Sequence, residues 1–197
     1  MRRSALACTG VVVLTLLWGC RGRVAGRSVG ANASKPAGKL SVLPATSGDV
    51  LSAVKQAHGQ VVLVNLWATW CQPCKEEFPD LLRLSRELGR RGFKLILVSA
   101  DFPDLRPQVE RFLADQGVDF PTFLKAETDD KFINGIEPRW TGALPATILF
   151  DASGVRRQFW EGKTTYDALL ARVAPLLHGA VRERIGGSRE ESHPSRG

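Results

Sequence analysis

The sequence predicts an α/β fold: a central mixed sheet flanked by helices, with an insertion between the second and third core strands. Three observations predict it. Two apolar runs of strand length, 61–67 and 93–99, lack the polar alternation of a half-exposed strand, so each reads as buried on both faces. A stretch with helical apolar spacing joins them, and a strand, helix, strand order implies a right-handed parallel crossover. Later, 146–150 and 155–160 flank the turn Asp151-Ala152-Ser153-Gly154 and read as a hairpin, which adds antiparallel pairing.

Taken in order, 40–43 reads as a short first strand. Residues 47–57 read as a helix, with Val50, Leu51 and Val54 on one face and Gly59 as a stop. Val61 to Trp67 is the organising strand. The helix after it runs to about residue 91, with Phe78, Leu81, Leu82, Leu84 and Leu88 as its apolar face. Pro73 near its start and the acids Glu76 and Glu77, read as first-turn residues, are helix-start signals. Pro79 inside it removes one N–H and crowds the preceding turn. Residues 93–99 form the next strand. A helix over 107–117 turns Val109, Phe112 and Leu113 inward; 118–124 is extended and broken by Pro121; 129–135 is a short helix. These form the insertion. A loop at 140–145 leads to the hairpin, and 164–177 is the closing helix, with Tyr166, Leu169, Leu170, Val173 and Leu177 on one face.

The length of 197 residues and a hydrophobic share of 44% suit one domain with tails. The expected organisation is a signal segment at 1–19, a flexible tether at 20–39, the folded domain at 40–178 and a disordered tail at 179–197. The net charge of +7 is diffuse, with no basic helix and no aromatic-basic interleaving, so no nucleic-acid partner is expected. Arg2 and Arg3 precede an apolar stretch from Ala5 to Trp18, too short for a comfortable membrane span and built like a secretory signal. Leu17-Trp18-Gly19-Cys20 resembles a bacterial lipobox, with Cys20 as the lipidated residue. The expected location is therefore the extracytoplasmic, periplasmic side, held at a membrane by a lipid anchor or the signal segment.

Export leaves Cys71 and Cys74 alone in the folded part. They lie where a buried strand hands over to a helix. The thiolate is the reactive form of cysteine, and a helix N-terminus offers partial positive charge and unpaired N–H groups. Cys71 is expected just before the helix, with an exposed sulfur of lowered pKa; Cys74, one turn deeper, is expected to be more buried. The pair can then cycle between dithiol and disulfide. Three other readings compete. A zinc site needs more ligands, and His58, His178 and His193 are scattered. Haem attachment needs His after the second cysteine, where Lys75 stands. A structural disulfide would close too small a loop to constrain much of the unfolded chain.

Trp67-Ala68-Thr69-Trp70-Cys71-Gln72-Pro73-Cys74, followed by Glu77 and Pro79, resembles the active site of the thioredoxin superfamily, most closely its extracytoplasmic TlpA/ResA-like branch. The likeness extends over about 40–177 and implies a thioredoxin-like fold. It implies thiol–disulfide oxidoreductase activity with Cys71 as attacking and Cys74 as resolving sulfur. It implies disulfide-containing protein substrates, such as apocytochrome c cysteines or copper-site thiols, and electrons from a membrane thiol carrier of the DsbD/CcdA type. By propensity Pro145 is a turn or edge proline with a trans bond. The resemblance instead makes Leu144-Pro145 a cis-proline loop, in which the Leu144 backbone pairs with a substrate segment. Asn65 stands where thioredoxin carries a buried, proton-exchanging Asp, and Glu77 matches the acid of the ResA-like motif that would take over that work; the plainer reading of Glu77 is a carboxylate stabilised by the helix dipole.

Trp70 is expected at the docking surface, Trp67 in packing, and Trp140 either in the same groove or covering the insertion. Lys75 adds positive potential near the thiolate. Glu76 is read as solvated. No cofactor and no metal are expected. Gln72-Pro73 brings no cation between the sulfurs, which places the couple on the reducing side. Two other functions on the same fold remain: a thiol peroxidase, and a metal-delivery lipoprotein that uses Cys71 and Cys74 as ligands.

Overall fold

A computed structural model describes residues 39–186. The signal segment, Cys20, nearly all of the tether and the tail beyond residue 186 lie outside the described residues. Among the described residues, no helix is long and apolar enough to cross a membrane.

Six strands form one sheet: β1 (Ser41–Ala45), β2 (Val61–Trp67), β3 (Phe93–Ser99), β4 (Pro121–Lys125), β5 (Ala146–Phe150) and β6 (Arg156–Glu161). Their order is β1-β4-β3-β2-β5-β6. The first four are parallel, while β5 runs antiparallel to β2 and β6 antiparallel to β5, so the sheet is mixed. Among the described residues, five α-helices cover it: α1 (Ser47–Gln56), α2 (Gln72–Leu88), α3 (Arg106–Asp115), α4 (Asp129–Ile136) and α5 (Tyr166–Gly186).

The two faces are told apart by the period of β2. Val61, Leu63 and Trp67 point to one core, shared with Phe78, Leu81 and Leu84 of α2, Val109 and Leu113 of α3, and Leu169 and Val173 of α5. Val62, Val64 and Leu66 point to the other, shared with Val50 and Val54 of α1 and Phe132 and Ile136 of α4. All seven β2 residues are buried, which is why the run carries no polar alternation. Asn65 is the single polar member and keeps the period of Leu63 and Trp67, so it faces the α2 layer.

Local chemistry sets the boundaries. Thr46 caps α1 in a capping box with Asp49. Cys71 is the N-cap of α2, so Glu76 and Glu77 fall in its second turn and the first turn carries no acid, contrary to expectation. A short 3-10 turn, Gly89–Arg91, follows α2 and ends at Gly92, whose φ of 87° is open to glycine at little cost.

Pro121 does not break an extended segment but begins β4, a strand position where the missing N–H is harmless. β4 inserts between β1 and β3, so the insertion contributes a strand to the sheet as well as two helices. Pro44 sits in β1, an edge strand, which tolerates it for the same reason. The closing helix begins at Tyr166 and continues to Gly186, past the expected domain end at 178 and into the expected tail.

Leu81 is fully buried between α2 and the sheet, whereas Leu43 on β1 is 44% exposed. Leu81→Ala should cost about 2–5 kcal/mol of unfolding free energy in a denaturant titration, and Leu43→Ala about 1 kcal/mol or less.

Candidate functional site

The carboxyl ends of β2 and β3 lie side by side, with Trp67 paired to Ser99. Open α/β sheets gather their chemistry at this edge. From β2 the chain turns at once: the Cys71 N–H donates to the Ala68 carbonyl at 3.1 Å, and α2 begins at Gln72. Cys71 and Cys74 are joined as a disulfide, with Cα atoms 5.3 Å apart. The Cys74 N–H donates to Cys71 Sγ at 3.3 Å, so the helix N-terminus is aimed at the outer sulfur.

Cys71 is less exposed than the sequence suggested. It is 4% exposed and Cys74 1%, and both belong to the core cluster that contains Trp67, Ala68 and Phe78. With both sulfurs in the core cluster, the expected contrast in burial between them is small.

Below the disulfide lies a buried polar pair. Asn65 Nδ2 donates to Glu77 Oε1 at 2.6 Å and to Thr147 Oγ1 on β5 at 3.1 Å. The Thr164 N–H, in the loop before α5, donates to Glu77 Oε2 at 2.9 Å. Burial pushes the Glu77 carboxyl above the ordinary range; the Thr164 and Asn65 hydrogen bonds pull it back only in part. The helix-dipole reading loses force, since Glu77 is a turn away from the helix end and the dipole effect fades within the first turn. Its neighbours hold α5. Glu76, half-exposed, pairs with Lys163 at 2.6 Å, and Asp80 accepts the Tyr166 N–H at 3.0 Å. Glu76 is thus paired as well as solvated.

The Leu144-Pro145 bond is cis, as the resemblance implies. β5 pairs with β2 through Leu66 and Ala146, and continuing that register places Pro145 opposite Trp67, at the strand end that leads to Cys71. The Gly162 N–H occupies the Pro145 carbonyl at 2.8 Å. Leu144 lines a groove of about 280 Å³ together with Trp70, Phe102, Lys125, Ile133 and Trp140. Trp70 and Phe102, 63% and 61% exposed, supply open aromatic surface. Trp140 is buried beside Phe132, with its indole N–H on the Ala143 carbonyl at 2.7 Å. Trp67 packs against Phe78 and Phe112. Burial lowers the pKa of Lys125, which pairs with Asp129, and Asp101 opposes that shift.

Sequence reasoning missed Asp101, Phe102 and the Thr164 amide. Asp101 is fully buried and accepts from the Thr69 N–H at 2.9 Å, Thr69 Oγ1 at 2.6 Å and Ser99 Oγ at 2.7 Å. Its signal was present: a carboxylate at the carboxyl end of a buried parallel strand.

Residues 36–158 match the model of the AhpC/TSA family. The chain belongs to the AhpC/TSA family. Relatives of this AhpC/TSA chain include the thiol-disulfide oxidoreductase ResA of Halalkalibacterium halodurans, 34% identical over 101 residues, covering 51% of this chain and 53% of that one. The thiol:disulfide interchange protein HelX of Rhodobacter capsulatus is 33% identical over 125 residues, covering 62% and 64%. ResA of Bacillus anthracis is 32% identical over 125 residues, covering 62% and 68%. The AhpC/TSA chain therefore spans between about half and two thirds of these relatives.

Among solved structures, a thioredoxin-family thiol:disulfide interchange protein from Chlorobium tepidum TLS aligns with TM-score 0.54 at 24% identity, over 64% of this chain and 83% of that one. A secreted thiol-disulfide isomerase from Corynebacterium glutamicum aligns with TM-score 0.56 at 24% identity, over 62% and 74%. The fold of this AhpC/TSA-family member is thioredoxin-like.

Because the fold holds the Glu77 proton more tightly than the unfolded chain does, its contribution to stability is full below the ordinary carboxyl value of 4.5 and is lost as pH rises through the raised value. Unfolding titrations of the oxidised protein should therefore show a downward slope of stability with pH just above 4.5 that Glu77→Gln removes.

Proposed function

We propose that the protein is an extracytoplasmic thiol–disulfide oxidoreductase that reduces disulfides in other proteins. The observation that carries this reading is the Cys71–Cys74 disulfide at the N-terminus of α2, set at the strand edge that also receives the cis Leu144-Pro145 bond. The names of the relatives ResA and HelX support the same reaction class.

In the reduced state the Cys71 thiolate, stabilised by the α2 N-terminus, attacks one sulfur of a substrate disulfide. A mixed disulfide forms and the first substrate thiolate leaves. Cys74 gives up its proton and attacks Cys71 Sγ. The second substrate thiolate leaves, and the Cys71–Cys74 disulfide returns. The substrate gains two electrons and the pair loses two. Glu77 is the acceptor proposed for the Cys74 proton, since burial raises its pKa and makes it a stronger base than an ordinary carboxylate. The substrate segment lies extended along the Leu144 backbone, with Trp70 against its flank.

Two electrons from the dithiol of a membrane carrier of the DsbD/CcdA type restore the reduced pair. Apocytochrome c cysteines and copper-site thiols are the substrate classes proposed. Cys20 serves as the lipid attachment point.

Cys74→Ser should accumulate mixed disulfides through Cys71 when the cell envelope is acid-trapped, and Cys71→Ser should form none; adducts through residue 74 alone would reverse the assignment. The reduction potential should lie nearer about −270 mV than about −120 mV. Peroxide-driven turnover, or stoichiometric copper binding by a pair inert toward disulfides, would replace this function with another. Cys20→Ala should move the protein from the detergent phase to the aqueous phase in a partition assay.

A further inference from the structure

The structure assigns to Asp101 the role of a positioning residue that sets the docking wall of the groove, as distinct from the sulfur. This inference rests on the reductase reading above. Asp101 lies just past the end of β3 and is fully buried. Its two carboxylate oxygens take three donors. Oδ2 accepts the Thr69 N–H at 2.9 Å and Ser99 Oγ at 2.7 Å, and Oδ1 accepts Thr69 Oγ1 at 2.6 Å. The Asp101 N–H returns to Ser99 Oγ at 3.1 Å, and the neighbouring Ala100 N–H donates to the Trp67 carbonyl at 2.7 Å. The end of β3 is thereby laced to the turn that follows β2. Hydrogen bonds to an ionised carboxylate are the strong kind, and two of the three fall on one residue, Thr69.

What this lacing controls follows from the order of the chain. Trp70 is next to Thr69, and Phe102 is next to Asp101; both line the groove, and both are more than half exposed. Neither ring is fixed by burial of its own, so each depends on the backbone beneath it. Asp101 sits at the junction of the two. Cys71 has a second anchor. It caps α2, and its carbonyl accepts the Lys75 N–H at 3.2 Å. Slack introduced at Thr69 therefore passes to Trp70 and much less to the sulfur. A large substrate that leans on Trp70 feels the loss; a small disulfide that meets only the sulfur feels little of it.

The test compares kcat/KM for a disulfide-linked polypeptide and for a small soluble disulfide, in otherwise full-length protein with the melting temperature followed alongside. Thr69→Val removes the hydroxyl donor and keeps the charge of Asp101. It should lower the ratio of the two kcat/KM values about tenfold, mainly through the KM of the polypeptide. Asp101→Asn should lower it further, since an amide in place of the carboxylate presents a donor where donors already converge. Thr69→Ser, which restores the hydroxyl, should recover most of the ratio. In a Trp70→Ala background Thr69→Val should have no further effect on the ratio, because the wall it positions is gone.

An unchanged ratio in Thr69→Val, or an equal drop with and without Trp70, overturns the role given to Asp101 while leaving the reductase reading intact. A wild-type protein inert toward both substrates overturns the reductase reading and this inference with it. If Asp101→Asn fails to fold, Thr69→Val and its cycle with Trp70→Ala decide the matter alone.

Discussion

A strand buried along its whole length cannot shift without opening both cores it separates. β2 is such a strand. It takes five partners on β5 and seven on β3, and its side chains feed both helical layers. The turn that leaves it inherits that rigidity, and so do the cap of α2 and the sulfur at that cap. The site begins where a strand buried along its whole length and paired on both sides ends. The same pairing brings β5, and with it the cis-proline loop, to the neighbouring position without any contact between the two loops having to arrange it.

A second constraint is electrostatic. Asn65 breaks the apolar run of β2, and a buried amide must find partners. It finds Glu77 and Thr147, and Glu77 in turn finds the Thr164 amide. The network ties β2, α2, β5 and the entrance to α5 around one carboxyl. Among the described residues no cation is bonded to that carboxyl; Lys163 beside it pairs with Glu76 instead. Neutral donors stabilise a carboxylate less than an ion pair would, so burial keeps the upper hand and the Glu77 carboxyl stays above its ordinary range.

Much of this was legible in the chain because burial leaves a plain mark. The runs that became β2 and β3 are apolar without alternation, and their ends were read to the residue. Helix limits were read within about three residues wherever glycine or a cap marked them; the one expected to run to about 91 ends at Leu88 and gives way to a 3-10 turn. The errors have physical causes. A proline that opens a strand looks like one that breaks it, so Pro121 was misread. The apolar face of α5 ends at Leu177 while its helical backbone does not, so the helix runs longer than its pattern. Cys71 was expected in the open because a reactive sulfur at a helix start suggested it; in the structure it is buried in the core cluster with Cys74. The Asn65–Glu77 pairing came within reach only through the resemblance. Asp101 left a signal in its place past the end of a buried strand, but its partnership with Thr69, 32 positions away, left no local trace, and neither did the Thr164 bond to Glu77 across 87 positions.

The strand and helices inserted between β3 and β5 have a consequence for division of labour. The sulfurs and the buried acid belong to one short stretch of chain, 65–77. Lys125, Ile133 and Trp140, which shape the groove, belong to another, between β3 and β5. The sulfurs and one wall of the groove, Trp70, thus come from a single short stretch, while the inserted segment supplies the facing side chains, so the groove can change on one side without disturbing the cysteine pair.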